Sequence, residues 1–400
     1  MAGSLVTSIP YGRQSISEDD VAAVAAALAS DYLTTGPLVA EYERKFARAV
    51  GAEHAVASNS GTSALHLAAL ALGLGSGDAA VVPTMTFLAT ANAVQMTGAD
   101  VVFADVDANS GLMTSASLEA ALARAKGGPA KVKAAFPVHL NGQLCDMEGL
   151  ASVAAHEGIE LVEDACHALG AADAGACRKS FTACFSTHPV KAITTGEGGV
   201  TTTRCADTAS RMRSLRSHGI VREAESWRSR ERGFDGNEAN AWYYEMHNLG
   251  WNYRLPDIMC ALGLSQLTKL RAFHDRRLEL SQLYDTLIAP LAPTIRPAQK
   301  TGAPHGWHLY AVAIDFAAIG ASRTAFMKRL AASGVGSQVH YPPVHTQPYY
   351  LERYGQLELP GAESYYARCL SIPLYPALGD SDVRRVVNAL ANLAELSSSS

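Results

Sequence analysis

The sequence predicts an α/β protein with a large domain built on a mostly parallel β-sheet and a smaller C-terminal α/β domain. Between residues 54 and 203, short β-rich runs alternate with segments of helical periodicity. This alternation is typical of βαβ units, and therefore of a parallel sheet covered by helices on both faces. At residue 256 a long helical stretch interrupts the alternation, and a second, shorter series of strand and helix patterns follows. A chain of 400 residues is long enough for two domains of about 150 residues each.

The large domain begins with helices, and strands then alternate with further helices. The first predicted helices are DDVAAVAAAL, LVAEYERKFARAV and SALHLAALALGL, each closed by Gly, Asp or Ser turn signals. The predicted strands are HAVAS (54–58), AAVVP (79–83), DVVFADV (100–106), KAAFPVH (133–139), IELVED (159–164), FTACFS (181–186) and GGVTTT (198–203). The helix-length segments between them include TFLATANAVQMTG, SASLEAALARAKG and DMEGLASVAAHEG.

The C-terminal part is predicted to start with one long helix, PDIMCALGLSQLTKLRAFHDRRLELSQLYDTLIAPL (256–291). Two strands, HLYAVAID (308–315) and SQVHY (337–341), and two helices, SRTAFMKRLAASG and DSDVRRVVNALANLAEL, follow it. We therefore expect a large domain over residues 12–255 and a small domain over residues 256–395. Residues 1–11 are expected to pack with the small domain, and residues 396–400 to form a disordered tail.

Composition and charge exclude several classes of protein. With 48% apolar and 18% charged residues, the chain is neither disordered nor a coiled coil. Its net charge is −5, and no run of Lys and Arg with interleaved aromatic residues indicates nucleic-acid binding. Seven cysteines without Cys-x-x-Cys spacing favour reduced thiols over a metal site. Without a signal peptide or a long apolar span, we expect a soluble cytoplasmic protein whose partners are small molecules or other subunits.

Two residues at predicted strand ends suggest cofactor chemistry. Lys191 follows a strand in FSTHPVKAITTGEGG, although most lysines are solvated surface residues. A buried amine with a depressed pKa is what a Schiff-base lysine requires. Asp164 closes the strand IELVED, at the sheet edge where ligands of such folds bind; alone, such a residue usually caps a helix. Together they match pyridoxal phosphate (PLP), whose aldehyde a lysine holds and whose ring nitrogen a carboxylate keeps protonated.

A phosphate site is predicted where NSGTSALHLAALALGL begins a helix. The first N–H groups of a helix are free, and its dipole favours anions. Gly61 belongs to this turn, and Thr62 and Ser63 add hydroxyl donors; Ser186, five residues before Lys191, is a further hydroxyl within possible reach of the same anion. Taken alone, the segment is better explained as an ordinary N-cap, because Ser and Thr are common at helix starts.

Aromatic and histidine side chains flank these residues. Phe87, in PTMTFLATAN, lies at another strand end, where it would cover one face of the cofactor ring; the alternative is a plain core residue. His167 and His188 stand close in sequence to Asp164 and Lys191. Lone histidines near strands are usually structural, so they are predicted to have supporting roles.

Many segments together resemble the DegT/DnrJ/EryC1/StrS family of PLP-dependent sugar aminotransferases. They are YGRQSISEDDVAAV (11–24), YLTTGPLVAEYERKFA (32–47), NSGTSALHLA (59–68), PTMTFLATANAV (83–94), VEDACHALGA (162–171), FSTHPVKAITTGEGG (185–199), LRSHGI (215–220), LGWNYRLPDIMCALGLSQLTKL (249–270), WHLY (307–310) and VHYPPVHTQPYY (339–350). The resemblance implies the type I aspartate aminotransferase fold. It also implies a transamination cycle in which glutamate gives its amino group and 2-oxoglutarate leaves.

The same resemblance implies roles for individual residues. Lys191 would bind the cofactor's aldehyde and shuttle the proton, with His188 beside it, and Asp164 would pair with the pyridine nitrogen. Phe87 matches the ring-stacking position, and His167 matches a histidine near the site. The residues implied to hold the phosphate are Gly61, Thr62, Ser63 and Ser186. Asn252, in GWNYR, matches an asparagine that reaches the phosphate in the neighbouring subunit, which implies a homodimer with shared active sites.

The substrate implied is a nucleotide sugar. The family's sugar 3-dehydratases carry histidine where this chain keeps Lys191. The segments most resemble the subgroup that makes UDP-4-amino-4,6-dideoxy-N-acetyl-β-L-altrosamine from a UDP-4-keto-6-deoxy sugar, for pseudaminic acid synthesis and flagellin glycosylation. The chain departs from this subgroup at Gly196, at Thr187 and over residues 138–146. Substrate discrimination is expected to shift at Thr187 and in the 138–146 loop.

Candidate sugar contacts lie in three segments. Residues 222–245 carry four arginines, including Arg228, and two tryptophans in a polar stretch, which is either a diphosphate-binding segment or a solvated loop with balanced charges. Tyr11, in YGRQSI, is a second candidate. The third group is in the C-terminal domain and comprises His340, Tyr341 and His345.

Three alternatives remain. The first is an aminotransferase of the same family that acts on another 4-keto-6-deoxy sugar, of D-xylo configuration or perosamine type. The second is a type I desulfurase or lyase, but those enzymes do not combine GTSAL, FSxHPVK and GxNYR. The third is an inactive regulatory protein of the same fold. The intact pair of Lys191 and Asp164 argues against that class, as does the lack of a helix-turn-helix or basic arm.

Overall fold

A seven-stranded sheet forms the centre of the computed structural model, which describes residues 8–395. The strands are β1 (His54–Ser58), β2 (Asp78–Pro83), β3 (Asp100–Ala104), β4 (Lys131–Ala135), β5 (Glu160–Asp164), β6 (Thr182–Ser186) and β7 (Gly199–Thr203). Their order across the sheet is β1-β7-β6-β5-β4-β2-β3. Only β7 runs antiparallel to its neighbours. The predicted α/β class with a mostly parallel sheet is therefore confirmed.

Helices cover both faces of this sheet. Those of the first part of the chain are α1 (Glu18–Leu28), α2 (Pro37–Val50), α3 (Gly61–Leu72), α4 (Leu88–Gln95), α5 (Ser115–Ala125), α6 (Met147–Glu157) and α7 (Ala206–Arg216). Every residue of β6 and β7 is buried, as expected for strands that are covered on both faces. The strand-forming runs are rich in Ala, Val and Thr, which pack closely under the helices.

A short segment of small elements follows α7, where the sequence predicts a loop. It contains β8 (Ile220–Val221), α8 (Arg230–Gly233), β9 (Phe234–Asp235), β10 (Glu238–Ala239) and β11 (Glu245–Met246). Trp227 packs edge to face against Phe234 and Tyr243. The Glu245 carboxylate accepts hydrogen bonds from the backbone N–H groups of Arg228 and Ser229, and these bonds lower the pKa of Glu245 to about 2. The segment is thus held together by contacts among its own residues.

The C-terminal part forms a second sheet with its own helices. Its elements are α9 (Asp257–Leu267), α10 (Leu270–Ile288), β12 (Ile295–Pro297), β13 (Tyr310–Ile314), α11 (Phe316–Ile319), α12 (Arg323–Ala332), α13 (Pro348–Tyr354), α14 (Pro360–Arg368), β14 (Cys369–Ile372) and α15 (Asp380–Glu395). The three strands pair antiparallel in the order β12-β13-β14. Ile9 pairs with Val335 and shares the core of this sheet. Residues 1–7 and the predicted tail 396–400 lie outside the described residues.

Two predictions for the C-terminal part are wrong. The predicted helix 256–291 divides into α9 and α10 at Thr268 and Lys269. It divides because α9 packs against α1 and α2, whereas α10 packs against α15. The predicted strand 337–341 is not formed: Gln338 makes a single bridge to Ser371, and β14 takes the place of the third strand.

Segments on both sides of residue 256 share one core. The core of the large sheet includes Val344, Tyr350 and Tyr365 from the C-terminal part of the chain. Tyr365 also accepts a hydrogen bond from the side chain of Asn141 at 2.9 Å. These contacts bring the segment after residue 337 against the carboxyl edge of the large sheet. Among residues 8–395, no helix combines the length and the apolar composition that crossing a bilayer requires.

Candidate active site

A cavity of about 550 Å³ lies at the carboxyl ends of β5 and β6. Ligands of open α/β sheets bind at this edge, because the loops that follow parallel strands meet there. The structure brings together most of the site residues that the sequence predicts. Those that line the cavity are Tyr11, Gly61, Thr62, Phe87, Asp164, His167, Ser186, His188, Lys191, His340 and Tyr341.

Lys191 lies in the turn after β6, and the surrounding backbone holds it in place. Its N–H donates to the carbonyl of His188 at 2.9 Å. The buried guanidinium of Arg277, on α10, donates to the carbonyls of Lys191 and Ala192, each at 3.3 Å. Burial lowers the pKa of Lys191, against the opposing effects of Cys166 and Asp164. Burial thus shifts the equilibrium of Lys191 toward the neutral amine, which is the form that attacks an aldehyde.

Asp164, the last residue of β5, is a buried carboxylate with partners on both oxygens. Oδ2 accepts a hydrogen bond from the Thr90 hydroxyl of α4 at 2.6 Å, and Oδ1 accepts one from the N–H of Cys166 at 3.1 Å. An ionised carboxylate has about four acceptor positions, so these two bonds fix its orientation and leave further positions for a ligand. Neither the sequence motifs nor their spacing indicated the contact with Thr90.

The start of α3 forms an anion cradle beside β6. A Cβ atom on Gly61 would lie 2.9 Å from Cβ of Ser186, so glycine is needed for this close approach. Ser60 is the N-cap, and its hydroxyl accepts a hydrogen bond from the N–H of Ser63 at 3.1 Å. The hydroxyl of Ser63 donates to the side chain of Asn59 at 2.6 Å, so Ser63 supports the turn from outside the cavity lining. The N–H groups of Gly61 and Thr62 have no partner within the helix.

These features fit pyridoxal phosphate. A buried amine with a lowered pKa, a buried carboxylate and an anion cradle line one cavity of suitable volume. The cradle is space that a side chain at position 61 would fill. Within the described residues, Nδ1 of His167 and Nδ1 of His308 are buried without a hydrogen-bond partner, which is costly unless a ligand or water satisfies them.

Three neutral histidines surround Lys191. His167 lies 3.0 Å from the Tyr341 hydroxyl through Nε2, and Nδ1 of His340 lies 2.8 Å from the Ser371 hydroxyl. Burial, with a contribution from Lys191, lowers the pKa of His340 to about 3 and also lowers that of His167. His308, the third, was not singled out from the sequence. The only signal for it is its place in WHLY, directly before a buried strand.

Several candidate residues lie outside this cavity. His345 is buried with Nδ1 at 2.6 Å from the Thr84 hydroxyl, a structural contact. Arg228 is exposed in the 222–245 segment. Asn252 has an exposed side chain, and its carbonyl accepts a hydrogen bond from Asn59 at 3.3 Å, next to the cradle. Thr187, where substrate discrimination is expected to shift, does not line the cavity, and its hydroxyl lies 2.6 Å from that of Thr195 in the core.

Comparison with known proteins identifies the family. Residues 14–391 match the DegT/DnrJ/EryC1/StrS aminotransferase family. The spore coat polysaccharide biosynthesis protein SpsC of Bacillus subtilis (strain 168) is 36% identical over 392 residues, which are 97% of each chain.

Solved structures agree with this match. PseC of Helicobacter pylori, an aminotransferase involved in the biosynthesis of pseudoaminic acid, is 26% identical with a TM-score of 0.87, over 98% of this chain and all of PseC. The PLP form of Spr1654 from Streptococcus pneumoniae is 27% identical with a TM-score of 0.84, over 97% and 99% of the two chains. The predicted type I fold and the PLP cofactor are confirmed. The chain belongs to the DegT/DnrJ/EryC1/StrS aminotransferase family.

Proposed function

We propose that the protein transfers the amino group of L-glutamate to C4 of a UDP-4-keto-6-deoxy-N-acetylhexosamine. The product is UDP-4-amino-4,6-dideoxy-N-acetyl-β-L-altrosamine, for pseudaminic acid synthesis and flagellin glycosylation, and 2-oxoglutarate leaves. The observation that carries this proposal is the similarity to PseC over 98% of this chain and all of PseC, with a TM-score of 0.87. The match of the YGRQSI, SDYLTTGP and LRSHGI segments to the altrosamine subgroup supports it.

The cavity residues have complementary tasks in this reaction. When bound, pyridoxal phosphate supplies an aldehyde that accepts the amino group and a ring that takes up the electrons of the broken C–H bond. Lys191 would hold the aldehyde at rest, and its Nζ, once freed, would take the proton from Cα of glutamate. In the reverse direction, Nζ returns a proton to C4 of the sugar. The Asp164 carboxylate keeps the ring nitrogen protonated, and Thr90 fixes the orientation of that carboxylate.

The cavity of one chain lacks arginine partners for the charged ends of the reactants among residues 8–395. Glutamate carries two carboxylates and the sugar a diphosphate, yet no arginine of residues 8–395 lines the cavity. Phe87 at the cavity is 55% exposed, and Trp242 and Leu249 are more than 70% exposed. Exposed apolar groups of this size indicate a covered surface. We therefore infer a homodimer in which the partner covers the cavity and supplies Asn252 and cationic side chains, among which Arg228 is a candidate.

Mixed dimers test the shared site. In a dimer of one Lys191→Ala chain and one Asn252→Ala chain, a shared-site arrangement leaves one of the two sites with both residues intact. We expect this dimer, purified with two different tags, to recover about half of the parent's kcat, whereas each variant homodimer stays impaired. Recovery no greater than that of the Asn252→Ala homodimer would place Asn252 in the same site as its own chain's Lys191.

The sugar specificity is tested with two epimeric substrates. Purified protein with pyridoxal phosphate and L-glutamate is offered the UDP-4-keto-6-deoxy-N-acetyl sugars of L-arabino and D-xylo configuration, and the amino sugar and 2-oxoglutarate are quantified. We expect kcat/KM for the L-arabino sugar to be higher by on the order of 10²-fold, because the two epimers present C4 differently to Lys191. Product from neither sugar, nor from other 4-keto-6-deoxy sugars, would favour the inactive regulatory protein.

A second candidate is an aminotransferase for a different 4-keto-6-deoxy sugar, of D-xylo configuration or perosamine type. The observation that favours it is the identity of 36% with SpsC, whose name refers to a coat polysaccharide. This candidate keeps the same cavity and the same residue roles. Turnover of the D-xylo sugar alone would select it.

A further inference from the structure

His308 contacts the reactive atom of Lys191 and has no role so far. Its Nε2 lies 3.5 Å from Nζ of Lys191, at the outer limit of a hydrogen bond. The imidazole is 4% exposed, and among the described residues its Nδ1 has no partner. Its ring centre lies 4.5 Å from that of His167, which lines the same cavity. A buried imidazole whose one polar contact is the lysine amine must be placed by the backbone around it.

The turn at residues 139–144 provides that placement. The carbonyl of Gly142 accepts a hydrogen bond from the N–H of Gly306 at 2.7 Å, and the carbonyl of Asn141 accepts one from the N–H of Leu309 at 3.1 Å. These two bonds flank His308 on both sides in the chain. They attach the segment before β13 to the turn that follows β4.

Gly142 is the residue that allows this contact. It has a backbone φ of +101°, which residues that carry a Cβ rarely adopt. A Cβ at this position would lie 2.6 Å from the carbonyl oxygen of His167 and 3.1 Å from the N–H nitrogen of His308. The turn therefore packs directly between the backbones of the two histidines and fixes both relative to Lys191.

We propose that His308 is a positioning residue for the catalytic lysine: its Nε2–H donates a hydrogen bond to the lone pair of the free Lys191 amine and holds Nζ ready for proton transfer. This inference rests on the role of Lys191 in the proposed function. A neutral imidazole has one N–H. Donation through Nε2 gives that N–H the one hydrogen-bond partner that residues 8–395 offer the ring, whereas the other tautomer would bury an N–H without a partner.

Such a hydrogen bond favours the neutral amine over the ammonium. Asp164 and Cys166 face Lys191 and act in the opposite direction. The groups that face His308 are Lys191, His167, His340 and Arg277; with burial they keep its pKa well below the ordinary value, so it stays neutral. The lone pair of Lys191 is then both available and directed.

Two amide substitutions separate positioning from simple filling of space. The side-chain amide of His308→Gln reaches about the place of Nε2 and can donate to Lys191, whereas that of His308→Asn reaches only the place of Nδ1. The control is His305→Asn, on the same segment but outside the cavity lining. In the parent chain, Nδ1 of His305 accepts a hydrogen bond from the N–H of Trp307, and the asparagine side chain can still accept this bond.

The pKa of Lys191 is measured in the apoprotein by competitive acetylation over a pH series with peptide mass spectrometry. The midpoint for Lys191 should rise by about one pH unit in His308→Asn, because a hydrogen bond to the neutral amine is lost. It should stay at the parent value in His308→Gln and His305→Asn. Equal midpoints in the Asn and Gln variants of His308 would overturn the proposal.

Kinetics of the holoenzyme provide a second readout. In His308→Asn, we expect kcat to fall by about tenfold or more with KM for the sugar unchanged, and the acidic limb of kcat against pH to move upward by about one unit, since the reaction needs the neutral amine. His308→Gln should rescue both. A fall in kcat with an unshifted limb in both variants would reduce His308 to a structural residue.

The tautomer is observed directly in the parent chain, so the test does not depend on any variant folding. Apoprotein with ¹⁵N-labelled histidine should show one neutral ring protonated at Nε2, whose signals disappear in His308→Gln. An Nδ1–H tautomer or a charged ring would overturn the proposal. Failure of the proposed function would show differently from failure of the His308 proposal. If Lys191 were not the cofactor lysine, Lys191→Ala would keep its covalent cofactor. The measurements on the apoprotein would be unaffected, because they do not involve the cofactor.

Discussion

Replacing Lys191 by alanine is expected to abolish transamination and the covalent attachment of pyridoxal phosphate. The rate constant kcat should fall by at least about 10⁴-fold, because one substitution removes both the amine that binds the aldehyde and the group that moves the proton. No other lysine of the described chain lines the cavity, so no neighbouring amine can substitute. Turnover is measured as 2-oxoglutarate formed from glutamate and sugar, and attachment as cofactor retained after borohydride reduction.

Lys126→Ala is the matched control for this experiment. Lys126 is two-thirds exposed and pairs with Glu157 on the surface, so its loss should leave kcat and cofactor attachment at the parent values. Thermal melting shows whether Lys191→Ala remains folded, which is expected because the substitution removes a buried amine. Cofactor attached to a different lysine, or kcat within about tenfold of the parent, would exclude Lys191 from the proposed chemistry.

The sequence predicts best what depends on local pattern. Each strand of the large sheet was located to within a few residues, because apolar runs between turn signals identify buried strands. Asp164 and Lys191 follow from such strands, since the carboxyl ends of β5 and β6 meet at one edge. The glycine and hydroxyl residues at the start of α3 were also predicted from local signals. Their meeting in one cavity then follows from the topology.

Contacts between distant segments could not be predicted in this way. Thr90 and Asp164 are 74 residues apart, and Lys191 and His308 are 117 residues apart. No periodicity within one element encodes such a pair. Thr187 shows that closeness in sequence does not by itself place a side chain in the cavity. It adjoins cavity residues in sequence, but its side chain packs against Thr195 in the core.

The two wrong predictions in the C-terminal part have a common physical cause. Apolar periodicity reports that a side chain is buried, but it does not report against which core. In the stretch 256–291 the apolar positions serve two cores, so one periodic pattern forms two helices. In SQVHY the alternating side chains contact several partners: Val339 packs against both cores, and Tyr341 contacts His167. Because these side chains pack against different partners, the segment does not form the continuous backbone hydrogen bonds that a strand needs.

Replacing Asp164 by asparagine is expected to leave the protein folded while kcat falls by on the order of 10³-fold. Asparagine keeps the shape and can still accept from the N–H of Cys166, and its amide can donate to the Thr90 hydroxyl. The neutral amide cannot hold a proton on the ring nitrogen, so the cofactor loses its capacity to take up electrons from the C–H bond. The readouts are kcat, cofactor content and the melting temperature.

The decisive comparison is with another aspartate at the same edge of the sheet. Asp105 follows β3 and accepts hydrogen bonds from the N–H groups of Gly361 and Ala362 at the start of α14, outside the cavity lining. Asp105→Asn should cost about 1 kcal/mol of stability through the weakened helix cap and leave kcat unchanged. Asp164→Asn should show the opposite pattern, with normal melting and slow turnover. If instead Asp164→Asn lowered the melting temperature and left kcat within about tenfold of the parent, Asp164 would be a helix-capping residue and the electron sink would need another partner.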